Sequence, residues 1–210
     1  MQKKYELTSN TIVKFGRTLY QIKALFSFDV VSEGDFGGYI EKEENLSQDG
    51  NAWVFGDARV YGDARVYGDA WVSGGAWVSG DARVYGDAWV SGDARVSGDA
   101  RVYGNAEVYG DAWVSGSAWV SGDARVYGNA RVYGNADFLL VGRIGSHAAF
   151  TTFFKNKSGG IQVACGCFLG TLAEFREKVK EIHGNNKHAK MYNLAADMAE
   201  LQILGDKSEV

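Results

Sequence analysis

The chain has 210 residues, 46% of them hydrophobic and 13% aromatic, with a formal charge of −4 and no proline. Such a composition excludes a disordered chain, and the mild charge argues against wholesale nucleic-acid or membrane binding. Average proline usage of about 5% would give roughly ten, so the absence suits a backbone that offers every N–H to a continuous ladder.

The opening MQKKYELTSN has no apolar h-region, and no stretch is long enough to span a bilayer. With two cysteines too few and too close for a disulfide framework, a reducing, cytoplasmic setting is the expectation, with no membrane partner. Residues 1–49 read as a small β-rich cap, with strands at 11–15 and 18–25 around a Gly16-Arg17 turn. The EGDFGG stretch at 33–38 has two readings. Its backbone amides could cradle an anion, or it is a set of turns leading into the segment after it.

From residue 50 to 133 one six-residue phrase is repeated fourteen times without insertion or deletion, from GNAWVF to GNARVY. Strand residues alternate faces, so the invariant Ala and Val of each copy form the inward column. The fourth and sixth positions face outward. Gly with Asp or Asn makes the corner, where positive φ and local side-chain hydrogen bonds are tolerated. A short strand and a corner every six residues is the hexapeptide form of the parallel β-helix. The pattern resembles the hexapeptide-repeat, left-handed parallel β-helix proteins. That resemblance implies three hexads per triangular coil, a left-handed winding and a tendency to form homotrimers. Fourteen hexads would give 14/3 coils and a prism about 22 Å tall at about 4.8 Å per coil. The regular GDARVYGNA style also resembles phage- or prophage-encoded members, which are often labelled acyltransferases; a role in host signalling or defence would then fit.

After Asn135 the period breaks, and residues 140–210 read as a ββαα unit, leaving 50–139 to the solenoid. A hairpin spans 150–155 and 161–168. The Thr171-x-x-Glu174 capping box opens a helix with Leu172, Phe175, Val179 and Ile182 on one face. A second amphipathic helix carries Met191, Leu194, Met198 and Leu201.

Catalysis finds little support. The acyltransferases of the resembling family use a histidine between coils, and its γ-class carbonic anhydrases bind zinc through three. His147, His183 and His188 all lie outside the repeat, so neither chemistry is carried over. Cys165, Cys167, His183 and His188 have a superficial zinc-finger spacing. The helix between Cys167 and His183 would hold them about 16 Å apart at 1.5 Å per residue, so both cysteines read as core residues. No metal, cofactor or catalytic residue is expected.

Recognition is better marked. Residues eighteen apart stack, which sorts the fourth positions into three ladders. Trp53, Trp71 and Trp89 head the first, followed by Glu107 and Arg125; three indoles in a row could expose a patch large enough for a homotrimer seam. Arg59, Trp77, Arg95, Trp113 and Arg131 alternate cation and indole and would brace each other. The third reads Arg65, Arg83, Arg101, Trp119, Asp137, with Tyr67, Tyr85 and Tyr103 two residues after each arginine. Cations about 4.8 Å apart repel by roughly 0.9 kcal/mol even in water. They invite an anionic ligand of nucleotide type or an acidic partner protein. Alternatively, Asp63, Asp81 and Asp99 at the corners neutralise them. Three functions are thus open: a non-catalytic binder using the Arg/Tyr face, a hexapeptide-repeat acyltransferase, and a structural spacer presenting the C-terminal unit.

Overall fold

The computed structural model describes residues 2–205. Each hexad contributes one short strand, from Trp53–Val54 to Arg131–Val132, and each strand pairs in parallel with the one eighteen residues on. Trp53 lies opposite Trp71, Arg59 opposite Trp77, and Arg65 opposite Arg83. Eighteen residues are therefore one coil, and three hexads form its three sides. This is the parallel β-solenoid expected from the period.

The corner glycines have φ between 58° and 73° from Gly50 to Gly128, a region costly for any residue with a Cβ. A Cβ on Gly68 would also meet the Gly86 nitrogen at 3.0 Å, so stacking itself demands glycine there. Every Ala and Val of the inward column is at most 1% exposed. Burying each Val contributes about 1.5 kcal/mol or more, set against the entropy of ordering its hexad.

Backbone hydrogen bonds join each coil to its neighbours, as Arg59 N donates to Ala76 O at 2.9 Å. The first and last coils each leave an edge of unpaired backbone groups, which must be satisfied if buried. At the first coil, Lys4 Nζ donates to Gly50 O and Ala52 O, and Asn45 Nδ2 donates to Gly62 O and Ala64 O. At the last, Asn135 Oδ1 accepts from Trp119 N and Thr152 Oγ1 from Arg125 N. Side-chain donors thus serve these carbonyls at one end, and side-chain acceptors serve these amides at the other.

The parallel ladder begins upstream of the regular phrase. Strands β1 (Tyr5–Lys14), β2 (Arg17–Ala24) and β3 (Phe36–Ile40) form an antiparallel meander, and β3 then pairs in parallel with Arg59–Val60. Ile40 and Leu46 take the places of inward valines above Val60 and Val66, twenty residues away rather than eighteen. Gly37 and Gly38 of the EGDFGG stretch serve this docking. A Cβ on Gly38 would lie 2.6 Å from Ala58 O, and one on Gly37 2.6 Å from Val54 O. Their role is close backbone approach, not anion cradling.

The C-terminal unit has more strands than the expected ββαα. Phe138–Ile144, Ala149–Lys155, Ile161–Cys165 and Phe168–Thr171 make a four-stranded antiparallel sheet before α1 (Leu172–His183) and α2 (Lys187–Leu204). Phe154 and Ala164 pack on the solenoid core, while Phe153 and Val163 pack with Phe175, Val179, Ala196 and Ala199 of the helices. The sheet is the layer that joins the two cores. Thr171 caps α1 as read from its capping box, accepting from Glu174 N at 3.3 Å.

The helix faces differ from expectation. Phe175 and Val179 are buried, but Ile182 is exposed. In α2 the expected core residues Met191, Leu194, Met198 and Leu201 are all exposed, and Ala189, Tyr192, Ala195, Ala196, Ala199 and Ile203 face inward. Small alanines let α2 lie close to the sheet; both faces are apolar, so periodicity alone could not choose between them. Among the described residues no helix is long and apolar enough to cross a membrane.

Candidate functional site

The three outward ladders stand in the register read from the sequence, with one exception at the last rung. Asp137 does not continue the third ladder. It lies in a single 3-10 turn, Asn135–Asp137, and its carboxylate takes Lys155 at 3.3 Å.

The first ladder is not a continuous exposed indole row. Trp53 is 1% exposed, enclosed edge-on by Tyr5 and Phe28 at centroid distances of 6.1 and 5.4 Å. Trp71 is half-buried against Phe55 at 5.4 Å, and of the three only Trp89 is exposed. The N-terminal segment folds across the first coil and uses Trp53 as its hydrophobic anchor, which removes that residue from any outer seam. Glu107 and Arg125 below them approach to 3.5 Å.

The second ladder braces itself. Arg59 and Arg95 flank the Trp77 ring at 5.6 and 4.9 Å, and Arg95 and Arg131 flank Trp113 at 4.8 and 4.7 Å. Phe15, at the β1–β2 tip, covers Trp77 and Tyr61.

The third ladder divides. Arg101 lies over the Trp119 ring at 4.7 Å and is therefore occupied. Among the described residues the guanidiniums of Arg65 and Arg83 make no hydrogen bond, ion pair or ring contact. The corner aspartates do not neutralise them at close range. Asp63 takes Lys42 Nζ at 2.7 Å; that hydrogen bond and charge, with smaller contributions from the charges of Arg17 and Arg65, hold the Asp63 carboxyl below its usual range. Beside the arginines, Tyr67, Tyr85 and Tyr103 form a column of parallel rings, 4.8 and 5.0 Å apart and inclined by 3° and 2°. Burial, then the flanking phenols, pushes the Tyr85 hydroxyl's pKa up. The Tyr85 hydroxyl therefore keeps its proton and stays an O–H donor.

Arg65, Arg83 and Tyr67 open onto a cleft of about 590 Å³ whose other walls come from residues 43–48, including Glu43, Glu44, Ser47 and Gln48. Glu43 is drawn to Lys3 at 2.7 Å, whereas Glu44 makes no hydrogen bond or ion pair among the described residues. Sequence reasoning did not single out these wall residues. Their signal was the Ile40–Leu46 spacing of six, which continues the inward valine column upstream.

In the C-terminal unit, Cys167 is exposed rather than in the core, and Cys165 is half-buried with Thr151 Oγ1 at 3.2 Å from its sulfur. Cys165 shares a cavity of about 180 Å³ with His147, His183 and Tyr192. Burial, then Cys165, pushes the Tyr192 phenol's pKa up to about 12. Among the described residues no group of three or more His, Cys, Asp or Glu is placed to hold a metal ion.

A family model described as the YdcK beta solenoid repeat matches the chain over residues 58–74, 76–92, 94–108, 106–122 and 124–136. The starts at 58, 76 and 94 are one eighteen-residue coil apart, so the matched unit is the coil. The chain is thus a repeat β-solenoid protein by both its sequence and its structure. No curated protein matches it.

Proposed function

We propose that this chain is a non-catalytic binding scaffold that holds an anionic ligand on Arg65 and Arg83. The observation that carries the reading is the contrast within one repeat family. Five of the seven repeat arginines are committed to a ring or a carboxylate, while two neighbours in adjacent rungs are uncommitted and face one cleft. A guanidinium left without a partner beside a second one is electrostatically unfavourable, and a bidentate oxyanion relieves both. The rigid ladder fixes the spacing of the two charges in advance, so little side-chain order remains to be imposed on binding.

Glu44 in the same cleft shapes the choice of ligand. It disfavours a bare polyanion and suits an anion that also carries O–H or N–H donors. Ribose 5-phosphate has both, and is the probe for titration calorimetry. Wild-type protein binds it, and the Arg65→Ser/Arg83→Ser variant loses roughly tenfold or more in affinity, which corresponds to about 1.4 kcal/mol. The braced pair Arg95→Ser/Arg131→Ser retains affinity. No binding by wild type, or equal binding by both variants, contradicts the reading.

A further inference from the structure

We infer that the occupant of the Arg65/Arg83 cleft is a planar aromatic anion whose ring stacks on the uncovered face of Tyr67; this rests on the anion-binding reading above. Rings supplied by the terminal units cover several of the solenoid's other outward aromatic residues. Phe15 covers Tyr61 and Trp77, Tyr5 and Phe28 enclose Trp53, and Phe154 lies 6.0 Å from Tyr127 at the end of the Tyr109–Tyr127 pair. Among the described residues the three-ring column receives no such cover at either end, and its Tyr67 end lines the Arg65/Arg83 cleft. Tyr67 has Tyr85 on one side, and among the described residues no ring on the other.

The reason is one small residue. The coil above is present at this level, because Ser47 N donates to Val66 O at 2.9 Å just as a regular rung would. At that rung the outward position is Ser47, where the column would otherwise continue with a tyrosine. A rung spaced about 4.8 Å from the next but lacking a ring leaves a slot one aromatic ring thick. Tyr67 and Ser47 both line the cleft, so the slot opens directly onto Arg65 and Arg83.

The slot's chemistry selects the ligand class. A tyrosine face accepts any flat π-system at stacking distance, and the two guanidiniums take an oxyanion attached to it. Glu44 accepts from an amino or hydroxyl group on the same molecule. A nucleoside monophosphate is the simplest compound with a flat ring, an oxyanion and such donors. The stack already formed by Tyr67, Tyr85 and Tyr103 presets the platform's orientation, since Tyr67 is held parallel to Tyr85 within 3°.

The test compares adenosine 5′-monophosphate with ribose 5-phosphate, which share the phosphate and sugar and differ in the ring. Wild-type protein should bind the nucleotide about tenfold or more tighter, as stacking one base contributes about 1–3 kcal/mol. The adenine ultraviolet band should lose intensity on binding. Tyr67→Ser should abolish the difference in affinity between the two probes. Ser47→Phe, which supplies a fourth ring from the protein, should do the same. Equal affinities for the two probes, unmoved by Tyr67→Ser, would overturn the stacking inference while the anion reading stands. Absence of binding by either probe would overturn both. Circular dichroism of the variants separates these outcomes from unfolding.

Discussion

Lys4 donates from its buried ammonium to the Ala52 carbonyl at 2.9 Å, and so stands in for the rung that would precede the first coil. It also reaches Gly50 O at 3.1 Å, while Asn45 treats Gly62 and Ala64 in the same way on another side. A parallel solenoid cannot end without such groups, because its first and last coils each leave an edge of unpaired backbone groups. Lys4→Met should keep the packing against Phe28 but strand two carbonyls. The expected loss is about 2 kcal/mol, read from urea denaturation. An unchanged midpoint would show that water satisfies that edge.

Lys4 also sets a pH dependence. Burial lowers its pKa to about 8 from 10.5, with Asp49 and Asp69 only partly opposing the shift. Between these values the unfolded chain binds the proton and the folded chain does not, so this residue's contribution to stability rises with pH from about 8 to 10.5. The buried Tyr5 phenol acts in the opposite sense. Its pKa is raised by burial and by Glu43 and Glu44, so above its usual value near 10 the unfolded state gains by ionising. Thermal midpoints should climb above pH 8 and fall again above about 10. Lys4→Met should abolish the climb and leave the fall.

At the other end, Thr152 supplies the acceptor that closes Arg125 N at 3.1 Å. Thr152→Val preserves shape but removes that acceptor, and should cost about 1–2 kcal/mol. Amide exchange at Arg125 should quicken more than at Val114, whose coil lies inside the ladder. Equal protection at both would show that the last rung needs no side-chain cap.

The exposed stripe of α2 gives a prediction by contrast. Leu194→Gln and Leu201→Gln alter side chains that are 64% and 61% exposed, so each should change monomer stability by less than about 0.5 kcal/mol. Ala196→Leu forces bulk into a position with no exposure and should cost about 1–3 kcal/mol. The reverse order would mean that α2 is seated by its leucines after all.

These residues also show where sequence reading succeeds and where it stops. Ala52, Val54 and their thirteen repeats are legible because one environment recurs fourteen times, and the eighteen-residue coil then follows from three sides. The braced Arg95 and the stacked Tyr85 follow from that register. Burial of Trp53 was not legible, since the residues that cover it, Tyr5 and Phe28, come from a segment with no period. The Arg65/Arg83 cleft was half legible. The arginines, the tyrosines and the neighbouring Arg101 and Trp119 were in register, but the wall at Glu44 and Ser47 depends on how an irregular coil joins a regular one. In α2, alanines and leucines on opposite faces gave two apolar stripes, and hydrophobicity ranks the larger side chains first. Packing distance to the sheet chose the smaller.

Whether Arg65 and Arg83 hold an anion is tested most directly by native mass spectrometry of protein taken straight from cells, which needs no ligand chosen beforehand. Wild-type protein should carry a noncovalent adduct that dissociates as an anion, and Arg65→Ser/Arg83→Ser protein, folded by circular dichroism, should not. A wild-type protein that emerges bare, or an adduct kept equally by the variant, would contradict the assignment.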